Sequence, residues 1–155
     1  EQLHRGLSKA QWAGRMEMVS GSPPVVLDGA HNPAGMAVLA RALDEGFSFR
    51  RLIVVFGVLN DKDYRSMLQK IGRLASVLVL TRPPEDRSRA PEDLVIPART
   101  LCNRVLLEPD PARAIEMALS EAGPGDLVCV TGSLYLVGQA KAILDPRVRD
   151  DYQQE

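Results

Sequence analysis

Polar residues that could bind an anion are concentrated in three short turns, each directly after an apolar segment. In the clearest, residues 28–33 (DGAHNP), Asp28, His31 and Asn32 place a carboxylate, an imidazole and an amide between a strand and a helix start. Glycine lets a ligand approach the backbone closely, and a helix N-terminus favours negative charge. An ordinary turn, with Asn32 capping the helix and Asp28 accepting local amide hydrogens, is the simpler explanation of the same residues.

The second turn, residues 131–135 (TGSLY), repeats the order strand, glycine, helix. Ser133 could donate a hydrogen bond to a carboxylate or phosphate on the helix N-terminus, or it could only cap the helix. The third turn, residues 57–63 (GVLNDKD), places Lys62 between two aspartates. Such a run is more typical of a solvated helix start than of a binding site.

Arginines are the other groups that suit an anion. Arg15 lies inside a predicted first strand, where a single arginine is usually a surface residue. Arg82, Arg87 and Arg89 lie in a proline-rich segment, 81–97, and could hold a carboxylate through paired hydrogen bonds, although a solvated loop is the simpler interpretation. The GxxxxGK[ST], GxGxxG and HExxH motifs are absent, which indicates anion-friendly turns without a complete nucleotide site and without a metal site.

Apolar segments that alternate with turns and helical periodicity must position these groups. The continuous apolar runs around residues 51–58 and 77–80 are typical of inner parallel strands covered on both faces. We predict strands at 14–19, 25–27, 51–58, 77–80, 105–107 and 126–131. We predict helices that begin near 33, after a polar segment that starts at 61, near 110 and at 133. This order predicts an α/β, Rossmann-like fold with a mostly parallel sheet, helices on both faces and an N-terminal antiparallel hairpin strand. Ligands bind such sheets beyond the carboxyl ends of the strands.

Composition excludes several classes of protein. The chain of 155 residues has 19 Lys and Arg against 20 Asp and Glu, a net charge of -1, which offers no basis for binding nucleic acid or an anionic membrane. No apolar run approaches the ~20 residues of a membrane helix, and the N-terminus is not typical of a signal peptide. Cys102 and Cys129 are far apart and lack a CxxC partner, which favours buried free thiols. We expect a cytoplasmic protein.

Three strings resemble one family: residues 12–17 (WAGRME), 28–33 (DGAHNP) and 131–138 (TGSLYLVG). They are similar to the C-terminal domain of the folylpolyglutamate synthase/dihydrofolate synthase family, within the Mur ligase superfamily. The second and third strings are typical of the folate branch, whereas GRME is shared with cell-wall Mur ligases. The resemblance runs from about Leu7 to Leu144 and divides the chain into a linker (1–12), a glutamate-ligase domain (13–145) and a tail (146–155).

The resemblance implies an ATP-dependent acid–amino-acid ligase that adds L-glutamate to dihydropteroate or a folate through an acyl phosphate. ATP and Mg²⁺ would be bound mainly by an N-terminal ATPase domain of the same protein, so the isolated chain would be inactive. The resemblance also implies that the protein is a monomer. By matched position, the residues implied are Arg15 and Asp28 for ATP and His31 and Ser133 for glutamate, with Asn32, Gly132, Lys62 and Arg82 in support and no metal ligand.

Two alternatives remain open from the sequence. One is the C-terminal domain of a cell-wall Mur ligase, which would add an amino acid to a muramoyl peptide. The other is a Rossmann-like binding module without catalytic activity. The turns around His31 and Ser133 weigh against the cell-wall branch.

Overall fold

The structure is a computed structural model that describes residues 15–145. The predicted linker, the predicted tail and the first residues of the WAGRME string lie outside the described residues. The elements in chain order are β1 (Glu17–Val19), β2 (Val25–Asp28), α1 (Pro33–Gly46), β3 (Leu52–Phe56), α2 (Tyr64–Ile71), β4 (Val77–Leu80), a 3₁₀ turn (Pro91–Leu94), α3 (Val95–Arg99), β5 (Arg104–Leu107), α4 (Pro111–Glu121), β6 (Leu127–Thr131) and α5 (Leu134–Leu144).

One six-stranded sheet has the order β1-β2-β6-β3-β4-β5. Only β1 and β2 pair antiparallel, and the other four pairings are parallel. The predicted α/β fold, with a mostly parallel sheet and an antiparallel N-terminal strand, is therefore confirmed. The strand after β2 in sequence is not its neighbour in space, because β6 is inserted between β2 and β3.

The predicted first strand is too long. Arg15 forms an isolated β-bridge, and β1 begins only at Glu17. Met16 between them has φ 46°, a left-handed conformation that a strand cannot contain. The prediction that Arg15 lies inside the strand is thus wrong, because alternating residue types do not reveal a local reversal of the backbone.

The sheet is buried on both faces, which explains its unbroken apolar strands. Every residue of β3 is buried. Val54 and Phe56 pack into a core beneath α1, α2 and α3, whereas Ile53 and Val55 pack into a second core beneath α4 and α5. Alternate side chains of one strand therefore support opposite layers. Cys102 and Cys129 are buried free thiols, as expected.

Four helices begin directly after a residue whose side chain caps them. Asn32, Asp63, Asp110 and Ser133 each accept a hydrogen bond from a backbone N–H in the first turn of α1, α2, α4 and α5. Each cap satisfies one of the amides that a helix start leaves unpaired. None of the helices in residues 15–145 is long and apolar enough to cross a membrane.

A buried carboxylate fastens the amino ends of β3 and β6. Asp126, whose side chain is fully buried, accepts hydrogen bonds from the guanidinium groups of Arg50 and Arg51 and from the amide of Gly123, at 2.8 to 3.2 Å. Burial by itself would raise the pKa of Asp126. The Gly123 amide and the two guanidinium groups outweigh burial and lower the pKa to about 2.

The Asp126→Asn variant should unfold more easily than the wild type, by about 2 kcal/mol at pH 7. Because the folded-state pKa of about 2 is below the ordinary 3.8, the stabilisation is present above about pH 4 and is lost as the pH falls toward 2. Urea unfolding at several pH values measures both effects. The difference between variant and wild type should shrink in acid.

The exposed Glu45, paired with Arg41 on α1 at 3.1 Å, offers a matched control. Glu45→Gln should change the free energy of unfolding by less than about 0.5 kcal/mol, because solvent screens the pair. Equal losses in Asp126→Asn and Glu45→Gln would contradict the role given to Asp126.

Candidate functional site

The three polar turns meet because the strands that precede them end in register. Asp28, the last residue of β2, pairs with Thr131 of β6, and Thr131 pairs with Phe56 of β3. The turns after β2, β6 and β3 are consequently neighbours at the carboxyl edge of the sheet. This is the edge at which the sequence predicts a ligand.

Asp28 is a buried carboxylate that the turn itself holds in place. Its Oδ1 accepts a hydrogen bond from the Ala30 amide at 2.8 Å, and its Oδ2 accepts one from the Met16 amide at 3.0 Å. Desolvation raises the pKa of Asp28, although both amides and the nearby Arg15 guanidinium act in the opposite direction. The left-handed Met16 turns its amide toward Asp28, so backbone strain is located at this site.

His31 is oriented by its own turn. Its Nδ1 lies 2.9 Å from the carbonyl oxygen of Gly29. A carbonyl only accepts hydrogen bonds, so Nδ1 carries the hydrogen and Nε2 is an acceptor in the neutral ring. The half-buried imidazole therefore presents Nε2 as the atom available to a ligand.

Two adjoining cavities open at this edge. The larger, of about 510 Å³, is named here the Asp28 cavity and is lined by Arg15, Asp28, His31 and Asn32 together with apolar residues of α1 and with Met16 and Leu134. The smaller, of about 170 Å³, is named the Ser133 cavity and is lined by His31, Leu59, Lys62, Gly132, Ser133, Leu134 and Tyr135. His31 and Leu134 border both cavities, which places the two cavities side by side.

Ser133 and Asn32 both act as helix caps. Ser133 Oγ accepts a hydrogen bond from the Tyr135 amide at 3.1 Å, and Asn32 Oδ1 accepts one from the Gly35 amide at 2.7 Å. Capping uses each oxygen as an acceptor, and the Ser133 hydroxyl hydrogen remains able to reach an anion in the cavity. The simple and the functional interpretations of Ser133 are thus compatible.

The supporting residues separate into two groups. Lys62 lines the Ser133 cavity, with its Nζ 3.6 Å from a carboxylate oxygen of Asp61. Gly132 lines the same cavity, whereas Arg82 lines neither cavity and follows β4, two strands away from β6. The structure therefore does not bring Arg82 together with the other predicted residues.

The sequence does not identify the Met16 amide as part of the site. It also does not identify the apolar walls formed by Val38 and Leu134, two apolar residues whose side chains are exposed. An exposed leucine at the first position of α5 is a signal that could have indicated a contact surface. No comparable signal exists for Met16, since its contact with Asp28 spans 12 residues and depends on backbone conformation.

Gly132 lets the turns after β6 and β3 touch. Its φ is +104°, and a Cβ at this position would overlap the carbonyl oxygen of Gly57. The Gly57 amide in turn donates to the carbonyl of Thr131 at 3.4 Å.

Within residues 15–145, no group of three or more His, Cys, Asp or Glu residues is arranged to hold a metal ion.

A mostly parallel α/β domain with two cavities at the carboxyl edge of its strands has the architecture in which open-sheet proteins bind ligands. Comparison of the sequence with known families identifies the group. The chain belongs to the Mur ligase, glutamate ligase domain family, whose sequence profile matches residues 14–134.

Known proteins of this family resemble the whole described domain. The chain is 36% identical to a dihydrofolate synthase/folylpolyglutamate synthase of Bacillus subtilis over 91% of this chain and 32% of that protein. The structure matches Mycobacterium tuberculosis folylpolyglutamate synthase complexed with ADP, with a TM-score of 0.81, 29% identity, and coverage of 89% of this chain and 33% of that one.

A diaminopimelate ligase is also similar, over less of the chain. The UDP-N-acetylmuramoyl-L-alanyl-D-glutamate–2,6-diaminopimelate ligase of Prochlorococcus marinus is 38% identical over 77% of this chain and 25% of its own length. The chain thus spans about a third of the length of these two synthases and a quarter of this ligase.

The Gly132→Ala variant should lose roughly 2 kcal/mol or more of folding free energy, because alanine is strained at this φ and its Cβ meets a backbone oxygen. Thermal or urea unfolding measures the loss. Gly138, on the exposed side of α5, is the matched control, because a Cβ added there would meet no atom within 4 Å. Gly138→Ala should instead gain about 0.5–1 kcal/mol, and equal shifts in both variants would contradict the close approach at Gly57.

Proposed function

We propose that this chain is the C-terminal domain of an ATP-dependent ligase that adds L-glutamate to dihydropteroate, to folates or to both. The observation that best supports this proposal is that Asp28, His31 and Ser133 line two adjoining cavities in a domain of the glutamate ligase family. The similarity to folate enzymes over nine-tenths of the chain supports the acceptor class. Because the chain covers about a third of those proteins, the remaining parts of the reaction belong to another domain.

The Asp28 cavity suits part of a nucleotide. Asp28 keeps acceptor capacity after binding two amides, so its carboxylate would accept hydrogen bonds from ribose hydroxyls. The apolar walls contributed by α1 and Leu134 would cover an uncharged ring system. Arg15, exposed at the rim, would reach the phosphates, for which a guanidinium is suited.

The Ser133 cavity suits the incoming amino acid. The volume of this cavity is below the usual range for drug-sized ligands. The N-terminal residues of α5 form part of its lining. Ser133 and the unpaired amides of that helix start would bind the α-carboxylate of glutamate. His31, which borders both cavities, would hold the amino acid next to the nucleotide in the Asp28 cavity. Asn32, Gly132 and Lys62 would support this binding.

The site in residues 15–145 supplies only half of what the reaction needs. ATP would supply the activation of the acceptor carboxylate, and Mg²⁺ would be bound by an N-terminal ATPase domain rather than by this chain. This chain's role is to orient the amine and, by closing over the partner domain, to exclude water from a hydrolysis-prone acyl group. The isolated chain would therefore be inactive. We also propose that the whole protein is a cytoplasmic monomer.

The cell-wall alternative is weaker. It is supported by the diaminopimelate ligase similarity, which covers less of the chain than the folate enzymes do. An assay of the full-length protein that compares dihydropteroate, a reduced folate and a UDP-muramoyl peptide as acceptors separates the two. A binding module without catalysis would release no ADP with any of the three.

In the full-length protein, Asp28→Ala should raise the KM for ATP and Ser133→Ala the KM for L-glutamate, each by about tenfold or more, as expected for loss of a hydrogen bond to a charged group. Glutamate-dependent ADP release measures both constants. Asp28→Asn serves as a second variant that retains one acceptor if Asp28→Ala folds poorly.

The exposed residues Asp44 of α1 and Ser120 of α4 provide controls. Asp44→Asn and Ser120→Ala should leave both KM values within about twofold of wild type. Near-normal turnover in Asp28→Ala and Ser133→Ala, with intact folding by circular dichroism, would sink these two assignments.

The isolated chain should bind ATP weakly in isothermal titration, because the phosphates contact only one half of a shared site. Micromolar affinity for ATP in this chain alone would count against the division of the site between two domains.

A further inference from the structure

Thr131, the last residue of β6, has a buried hydroxyl without a hydrogen-bond partner. The residue is fully buried, and its Oγ1 has no partner among residues 15–145. Its backbone is paired, because the Thr131 carbonyl accepts a hydrogen bond from the Gly57 amide at 3.4 Å. Buried hydroxyl groups are normally hydrogen-bonded, since burial removes them from water without compensation. The fold alone therefore gives no reason for a threonine rather than a valine at this position.

The Thr131 side chain lies on the same face of the sheet as Asp28. Side chains alternate between the two faces of a strand. Leu127 and Cys129 of β6 and Val26 of β2 all pack into the core beneath α1, α2 and α3, which assigns both Thr131 and Asp28 to that face. Thr131 and Asp28 are also paired in register, and neighbouring strands lie about 4.8 Å apart. A change of the Thr131 rotamer is then enough to bring Oγ1 toward the Asp28 carboxylate.

Asp28 is the acceptor that the sheet offers to Thr131. The two residues paired with Thr131 are Asp28 on β2 and Phe56 on β3, and the Phe56 side chain has no polar atom. The charge of Asp28 also reaches the side chains of β6. Burial first and the charge of Asp28 second raise the pKa of the Cys129 thiol, which lies two residues before Thr131 on the same face.

The Asp28 carboxylate needs a further donor when its cavity is filled. Each of its oxygens accepts one backbone amide and keeps acceptor capacity. Asp28 is 7% exposed and lines the open Asp28 cavity, so solvent reaches it there. A ligand that covers the cavity removes this solvent, and an ionised carboxylate then requires other donors. The hydroxyl hydrogen of Thr131 is not used elsewhere and can supply one such bond.

We propose that Thr131 is a positioning residue for Asp28, and that its hydroxyl donates a hydrogen bond to the Asp28 carboxylate when a ligand fills the Asp28 cavity. The inference rests on the proposed function, in which Asp28 accepts hydrogen bonds from the ribose hydroxyls of ATP. The bond keeps the carboxylate ionised and directs its remaining lone pairs toward the cavity. Thr131 lines neither cavity, so it acts on the nucleotide through Asp28.

The kinetic test uses full-length protein and measures glutamate-dependent ADP release. Thr131→Val removes the hydroxyl and should raise the KM for ATP about tenfold, with kcat and the KM for L-glutamate within about twofold of wild type. Thr131→Ser keeps the hydroxyl and should restore the KM for ATP. In an Asp28→Ala background, Thr131→Val should change that KM by less than about twofold, because its partner is already lost. An undiminished effect in this background would overturn the inference.

Thr81 provides a matched control for stability. It is a fully buried threonine directly after β4, and its hydroxyl donates to the carbonyl of Pro109 at 3.3 Å. Thr81→Val should therefore unfold at a lower urea concentration than wild type, with a KM for ATP within about twofold. Thr131→Val should unfold at the same or a higher urea concentration, since it removes a hydroxyl without a partner. A loss of stability in Thr131→Val as large as that in Thr81→Val would contradict the proposal.

A direct binding measurement separates failure of this inference from failure of the proposed function. Titration of the full-length proteins with ADP gives dissociation constants without requiring turnover. An affinity for ADP that falls about tenfold in Thr131→Val and is kept in Thr131→Ser supports the inference even if no folate acceptor is used. Equal affinities in wild type and Thr131→Val overturn the inference and leave the ligase function standing where ADP release persists. Absent ADP release with Thr131-dependent ADP binding overturns only the acceptor assignment.

Discussion

The site depends on the hydrogen-bonded register among β2, β6 and β3. Asp28, Thr131 and Phe56 end their strands side by side, so three turns that are up to about a hundred residues apart in sequence begin at one edge. A shift of register by one residue would turn the Asp28 side chain to the other face of the sheet and bury it among the apolar residues beneath α4 and α5. The glycines at 57 and 132 then permit the turns to approach closely enough for two cavities to share a wall.

Two buried aspartates have different roles: Asp126 stabilises the fold, and Asp28 belongs to the candidate site. Asp126, at the amino edge, is fully compensated by two guanidinium groups and an amide, and its pKa is lowered. Asp28, at the carboxyl edge, accepts hydrogen bonds from two amides and interacts with the charge of Arg15, but its pKa is raised because desolvation dominates. An ionised Asp28 is therefore held at a cost to folding, which a ligand that donates hydrogen bonds would offset. The compensated Asp126 at the amino edge stabilises the fold and so offsets the destabilisation that the ionised Asp28 causes.

Much of the architecture could be predicted from residue patterns because it is local. The strand at 77–80 has the predicted bounds, since a run of four β-branched and leucine residues is ended by polar Thr81 and by Arg82. The caps at Asn32 and Ser133 follow from residue type at a strand-to-helix turn. The position of β6 between β2 and β3 could not be derived in this way, because strand order is decided by long-range packing rather than by any one segment.

The candidate site was predictable to the same extent and for the same reason. Asp28, His31 and Ser133 lie in turns that the sequence identifies, whereas the contact of Asp28 with the Met16 amide requires a left-handed backbone that methionine rarely adopts. Among the arginines of segment 81–97, residue type could not distinguish Arg82 from Arg87. In the structure neither arginine lines the Asp28 cavity or the Ser133 cavity. The bridge between Leu59 and Ser88 attaches this irregular loop to the turn after β3, whose Leu59 lines the Ser133 cavity.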